Sequence, residues 1–136
     1  QEAFRFRLNL AKAHYRLNNL SQALVEIDTI LLAKLSGDET YEAKVLKASV
    51  LVHSKQLAAA AELWQNILRD FPERSEKDNV ALNLVVCYEE LKDFGKAIEV
   101  LERMKSGYPN PGFLNSKIAR LKERRENQPG AQGWKR

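Results

Sequence analysis

A chain of 136 residues supports one domain with a buried core and leaves little for a second. Its 44% hydrophobic and 29% charged content is ordinary for a soluble globular protein. The longest apolar run, Leu84 to Tyr88, is far too short for a membrane span, and a lone Cys87 excludes an internal disulfide framework. The net charge of +4 is unevenly spread: residues 1–116 hold 15 basic and 16 acidic groups, while residues 117–136 hold seven basic and two acidic groups. A neutral body therefore carries a basic C-terminal end. No basic, apolar and small-residue leader follows Gln1, so no signal peptide is expected. The composition leaves cytoplasm and periplasm both open.

Taken from the N-terminus, the first predicted helix pair spans about residues 4–37. Its second helix carries Leu20, Ala23, Leu24, Ile27, Ile30 and Leu31, the i, i+3, i+4, i+7 stripe of an amphipathic helix. The second pair spans about 41–74, with Leu57, Ala60, Ala61, Trp64, Ile67 and Leu68 in the same pattern. The third spans about 78–111, with Leu82, Val85, Val86, Tyr88 and Leu91 on its first helix and Phe94, Ala97, Ile98, Leu101 and Met104 on its second. Polar turns at Asn18-Asn19, Lys55-Gln56 and Lys92-Asp93 divide each pair. Asn110-Pro111-Gly112 is a turn signal. Beyond it a capping helix over about 112–126 is predicted, apolar only at Leu114, Ile118 and Leu121. Residues 127–136, with Pro129, Gly130 and Gly133, are expected to be a disordered tail.

The three pairs repeat at a constant step of 37 residues. Ala23, Ala60 and Ala97 fall in one column, and Ile27, Trp64 and Leu101 in another. Ala11, Ala48 and Val85 form a small or β-branched column, and His14, Leu51 and Tyr88 a bulky one. The alanine marks a close helix-helix approach that a larger side chain would force apart. Pro72 and Pro109 close the second and third units because proline cannot continue a helical hydrogen-bond ladder. This pattern resembles the tetratricopeptide repeat, most fully in the third unit. The resemblance covers about residues 4–111. The second unit departs at Leu51 and Lys47, and the first has Leu35 where proline is usual. Against a usual unit of about 34 residues, three extra residues fall at each junction, in Ser36–Glu39 and Glu73–Lys77.

The resemblance implies an all-α, right-handed α-α superhelix of three helix pairs plus a C-terminal capping helix. It also implies a module that binds another protein as an adaptor, scaffold or assembly factor. The first helix of each unit would line a concave groove, with Leu8, Lys12, Tyr15 and Arg16 from the first unit. Val45, Ser49, Val52 and His53 come from the second, and Leu82, Val86, Glu89 and Glu90 from the third. The lining runs from basic to acidic across an apolar strip, which suits an extended or helical partner segment with its acidic end at Arg16 and its basic end at Glu89 and Glu90. Some family members hold the C-terminal carboxylate of chaperones in a lysine and asparagine clamp. Only Lys12 fits that clamp here, so this mode is not expected. Two alternatives stand beside the groove. The chain is a repeat fragment of a larger complex with its groove filled internally, or Lys117, Arg120, Lys122, Arg124 and Arg125 contact an anionic surface or nucleic acid. Nucleic acid is disfavoured, since the basic end lacks base-stacking aromatics other than Trp134.

No enzyme is expected, and neither catalytic residues, a cofactor nor a metal site. His14 and His53 lie in different units, and one cysteine with two scattered histidines cannot supply the clustered ligands of a zinc site. Cys87 sits in an apolar stripe and reads as a buried, inert thiol. Gly107 to Gly112 has the glycine spacing of a phosphate loop, yet Phe113-Leu114 replace its Lys-Ser/Thr, and two prolines remove backbone donors. Asn19-Leu20-Ser21 matches a glycosylation acceptor inside a tight helix-helix turn, where so short a pattern arises by chance.

Overall fold

The computed structural model describes residues 2–129. Among them are eight helices: α1 (Glu2–Arg16), α2 (Leu20–Leu31), α3 (Gly37–His53), α4 (Leu57–Asp70), α5 (Pro72–Lys77), α6 (Val80–Glu90), α7 (Phe94–Met104) and α8 (Pro111–Glu126). Three antiparallel hairpins, α1/α2, α3/α4 and α6/α7, stack in chain order, and α8 packs on α7. The result is an α-α superhelix without strands among the described residues.

The 37-residue period extends to the backbone. Asn18, Lys55 and Lys92 hold φ values of 64°, 66° and 61°, the left-handed conformation that ends a helix. In each case the next amide donates to a carbonyl five residues back: Asn19 to His14 at 2.8 Å, Gln56 to Leu51 at 2.9 Å, Asp93 to Tyr88 at 2.8 Å. This closure satisfies carbonyls that the helix end leaves without partners, and it turns the chain sharply enough to bring the second helix back along the first.

The junctions solve one surplus in two ways. After the first unit the extra residues add a turn to the start of α3. There Ser36 and Glu39 form a capping box, the Glu39 amide donating to Ser36 Oγ at 3.2 Å and the Ser36 amide to Glu39 Oε1 at 3.0 Å. After the second unit Pro72 ends α4 and occupies the first turn of α5, so the extra residues expected at the Glu73–Lys77 junction form a short helix. The Ser75 hydroxyl, fully buried, ties α5 back by donating to the Ile67 carbonyl at 3.2 Å. Asn79, at φ 56°, then turns the chain into α6.

Two core clusters result. One joins Phe4, Leu8 and Ala11 of α1 to Ala23, Ile27 and Ile30 of α2, and to Ala43, Leu46 and Val50 of α3. The other runs from Tyr41, Ala48 and Leu51 of α3 through α4, α6 and α7 to Leu114, Ile118 and Leu121 of α8. Helix α3 belongs to both, so its apolar residues serve two faces and it shows no single stripe. Residues 130–136 of the expected tail lie outside the described residues. Within the described part, Gln128 Nε2 donates to the Lys92 carbonyl at 2.8 Å.

Candidate functional site

The first helices of the units, α1, α3 and α6, carry the side chains that the sequence assigns to a concave lining. Leu8 is the exception: it is fully enclosed with Phe4, Ala11 and Ile27 and offers nothing to a partner. In α1 the buried stripe is Phe4, Leu8, Ala11, one residue out of step with Leu10, which is exposed. Lys12 is half-buried and Arg16 exposed.

Tyr15 and His53 are drawn together across the first two units. The phenol oxygen lies 2.8 Å from His53 Nδ1, and the two rings meet edge to face with centroids 5.1 Å apart. The Ser49 carbonyl is 3.2 Å from the same nitrogen. With Nδ1 unprotonated the tyrosine hydroxyl donates to it; with Nδ1 protonated its hydrogen is shared by the two oxygens. Burial pushes the Tyr15 pKa up, so the neutral phenol that this contact needs is the stable form.

Val45, Val52 and Leu82 are half-buried and pack on the larger core, and Val86 is 43% exposed. Ser49 spends its hydroxyl on the Val45 carbonyl at 3.0 Å, which leaves this stretch apolar in character. At the far end the expected acidic pair divides. Glu90 is exposed. Glu89 is held by α8 instead, with Lys117 Nζ at 3.3 Å and Arg124 at 3.8 Å from its Oε2.

The same contacts break up the basic set on α8. Lys117 and Arg124 face Glu89, and the Arg124 guanidinium also covers the Phe94 ring, 4.6 Å from its centre. Arg120, Lys122 and Arg125 remain exposed. Lys117, Arg120 and Arg124 follow one edge of the helix at i, i+3, i+7 spacing, and Lys122 falls outside that edge.

One concavity was not legible in the sequence reading. A cleft of about 650 Å³ opens among α4, α5, α6 and α7, bounded by Leu68, Arg69, Glu76, Met104 and Tyr108. Pro72, Ser75 and Glu76 of α5 form part of its wall. Pro72 followed by acidic Glu73 is the start signal that would have shown this helix.

Cys87 is fully buried, and burial pushes its thiol pKa up, away from the reactive thiolate. Among the described residues no group of three or more His, Cys, Asp or Glu could hold a metal ion. No described helix is long and apolar enough to cross a membrane.

A family model described as "Tetratricopeptide repeat" matches residues 51–124, more than half of the chain. The chain belongs to the tetratricopeptide repeat family. Among solved structures this repeat protein is similar to MamA MSR-1 C2, with a TM-score of 0.58 and 16% identity. The alignment covers 98% of this chain and 77% of that one. Identity at that level reports a shared fold. No curated protein matches. As a tetratricopeptide repeat protein the chain is a protein-protein interaction module.

Proposed function

We propose that the tetratricopeptide groove lined by α1, α3 and α6 binds an extended or helical segment of another protein. The observation that carries this reading is the apolar strip at mid-groove. Val86 is 43% exposed and is joined by half-buried Val45, Val52 and Leu82. Aliphatic side chains on the inner helices of a solenoid, flanked by charge, suit a partner that buries apolar residues between polar ends. Arg16 and Lys12 mark the basic end. Glu90 alone marks the acidic end, since Glu89 is neutralised by α8. Most of the orientation therefore comes from the basic end, which favours acidic residues on the segment near Arg16.

Panning a displayed peptide library against the chain, followed by calorimetry on the selected peptides, tests this. Enriched peptides should combine two or three apolar residues with an acidic end. Arg16→Glu combined with Val86→Asp should weaken them at least tenfold, whereas Lys122→Glu should leave them unchanged. Equal binding by the groove variant, together with loss on Lys122→Glu and a steep fall with salt, would move the site to α8 and an anionic ligand.

A further inference from the structure

In the second and third units the first helix is covered on two sides, by its own second helix and by the second helix of the unit before it. The columns that face backwards can be read at the 37-residue step. Ala43 and Val50 of α3 are fully buried in the cluster that contains α2, and Lys47 of α3 reaches Asp28 of α2 at 2.8 Å. The same columns in α6 hold Val80, Leu84 and Cys87, all at most 2% exposed, on a helix that packs against α4.

In α1 these columns hold Phe6, Leu10 and Ala13, with Leu17 continuing the line at i, i+4, i+7, i+11 spacing. This is a second apolar stripe, away from the buried one of Phe4, Leu8 and Ala11. Ala13 is half-buried, but the three large side chains of the stripe stand open: Phe6 is 69%, Leu10 36% and Leu17 71% exposed. The other end of the array is finished differently. In the columns where α3 and α6 turn Ala48 and Val85, then Leu51 and Tyr88, towards their own second helices, α8 has Lys122 and Arg125, both exposed. Helix α8 thus has the composition of a terminus, and α1 that of an internal helix.

We propose that the Phe6–Leu10–Ala13–Leu17 face of α1 is the docking surface for a further helical hairpin of the tetratricopeptide kind. Its second helix lies along α1 as α2 lies along α3 and α4 along α6. The occupant is defined by what α2 and α4 present at the equivalent contacts, small and apolar residues, with no acidic partner called for because Leu10 stands where α3 has Lys47. A second copy of this chain has no such helix to spare. Its α2, α4 and α7 are covered by α3, α6 and α8, and the outer side of α8 carries Arg120, Lys122 and Glu123. The array is therefore extendable at α1 and closed at α8. This inference stands apart from the groove reading, because none of its four residues lines the groove.

The test adds the missing unit to the full chain. A copy of residues 38–74 joined ahead of Gln1 keeps the 37-residue step and offers α1 the α4 face that already covers Val80, Leu84 and Cys87. The extended protein should unfold in one transition, with a melting temperature roughly 5–10 °C above the parent, since each added repeat contributes a neighbour interface. It should bind less of a fluorescent dye that reports exposed apolar surface. Phe6→Asp with Leu17→Asp, at exposed positions, should leave the parent's melting temperature unchanged and abolish the gain in the extended protein. Two separate transitions, or an unchanged melting temperature with unchanged dye binding, would overturn the proposal. So would sedimentation showing the parent as a dimer that Phe6→Asp with Leu17→Asp makes monomeric, which would give the face to a second copy. Groove peptides that still bind the Phe6→Asp with Leu17→Asp protein keep the two surfaces distinct.

Discussion

The two ends of this solenoid are built from amphipathic helices of similar length, yet they meet solvent in opposite ways. Helix α8 places Leu114, Ile118 and Leu121 against α7 and surrounds them with charge, and two of its cations grip Glu89 of α6. Helix α1 buries Phe4, Leu8 and Ala11 and leaves Phe6 and Leu17 in water. A helix with one apolar stripe ends an array, because its remaining faces gain nothing from further burial. A helix with two stripes keeps unburied apolar surface until a neighbour arrives. The family match over residues 51–124 reaches into α8 and does not extend to α1.

The largest effects should come from the buried halves of both terminal helices. Leu121→Ala in α8 and Leu8→Ala in α1 remove side chains at most 1% exposed, and each should lower unfolding free energy by about 2–5 kcal/mol in urea titrations. A loss below about 0.5 kcal/mol for Leu121→Ala would mean that α8 is not part of the cooperative unit.

Alkaline pH tests the middle of the array, where α3 meets α5. Burial, then a hydrogen bond from the Tyr41 hydroxyl to Asp78 at 2.6 Å, pushes the Tyr41 pKa up from 10.0 to about 12. A folded pKa above the unfolded one favours the protonated phenol in the native state. Its contribution is complete below pH 10 and disappears between pH 10 and about 12. Tyrosinate absorbance should show one of the four tyrosines titrating last, and Tyr41→Phe should flatten the stability profile in that window.

A smaller loss sharpens the account of the cap. Glu89→Gln removes the acceptor shared by Lys117 and Arg124 and should cost about 1 kcal/mol, less at high salt. Equal stability of this variant at low and high salt would show that the cap is held by its apolar stripe alone. Comparable in size but opposite in sign, Lys92→Gly should stabilise by about 0.5–1 kcal/mol, because lysine holds a left-handed φ of 61° there. Asn18→Gly, at the equivalent place in the first unit, should gain less, since asparagine tolerates that conformation. The smallest change belongs to the open end: Leu17→Ala, 71% exposed, should move stability by less than about 0.5 kcal/mol.

Much of this molecule is legible in its sequence because a repeat states the same physical requirement several times. The columns Ala23/Ala60/Ala97 and Ile27/Trp64/Leu101 named the hairpins, and every one of those six residues is at most 2% exposed. The polar pairs Asn18-Asn19, Lys55-Gln56 and Lys92-Asp93 placed the turns, since ending a helix and reversing the chain is a local matter. The candidate groove was legible only by column, and columns do not say what a neighbour will do to a side chain. Leu8 went to the core because it packs with Phe4 and Ala11 against residues of α2 and α3, whereas Val45 and Leu82 in the same column stay half-buried. Glu89 was claimed by α8, which lies 28 residues further along the chain at Lys117. Helix α5 and its cleft were missed because Glu73 to Lys77 carries no apolar period, and what fixes it is distant in sequence: Ser75 on Ile67, Asp78 on Tyr41 and Arg74 on Asp38. Periodicity and helix-ending residues act through neighbours in sequence and can be read one helix at a time. Which apolar face is covered, and which charge finds a partner, depends on residues far along the chain, and that was decided only when the units stacked.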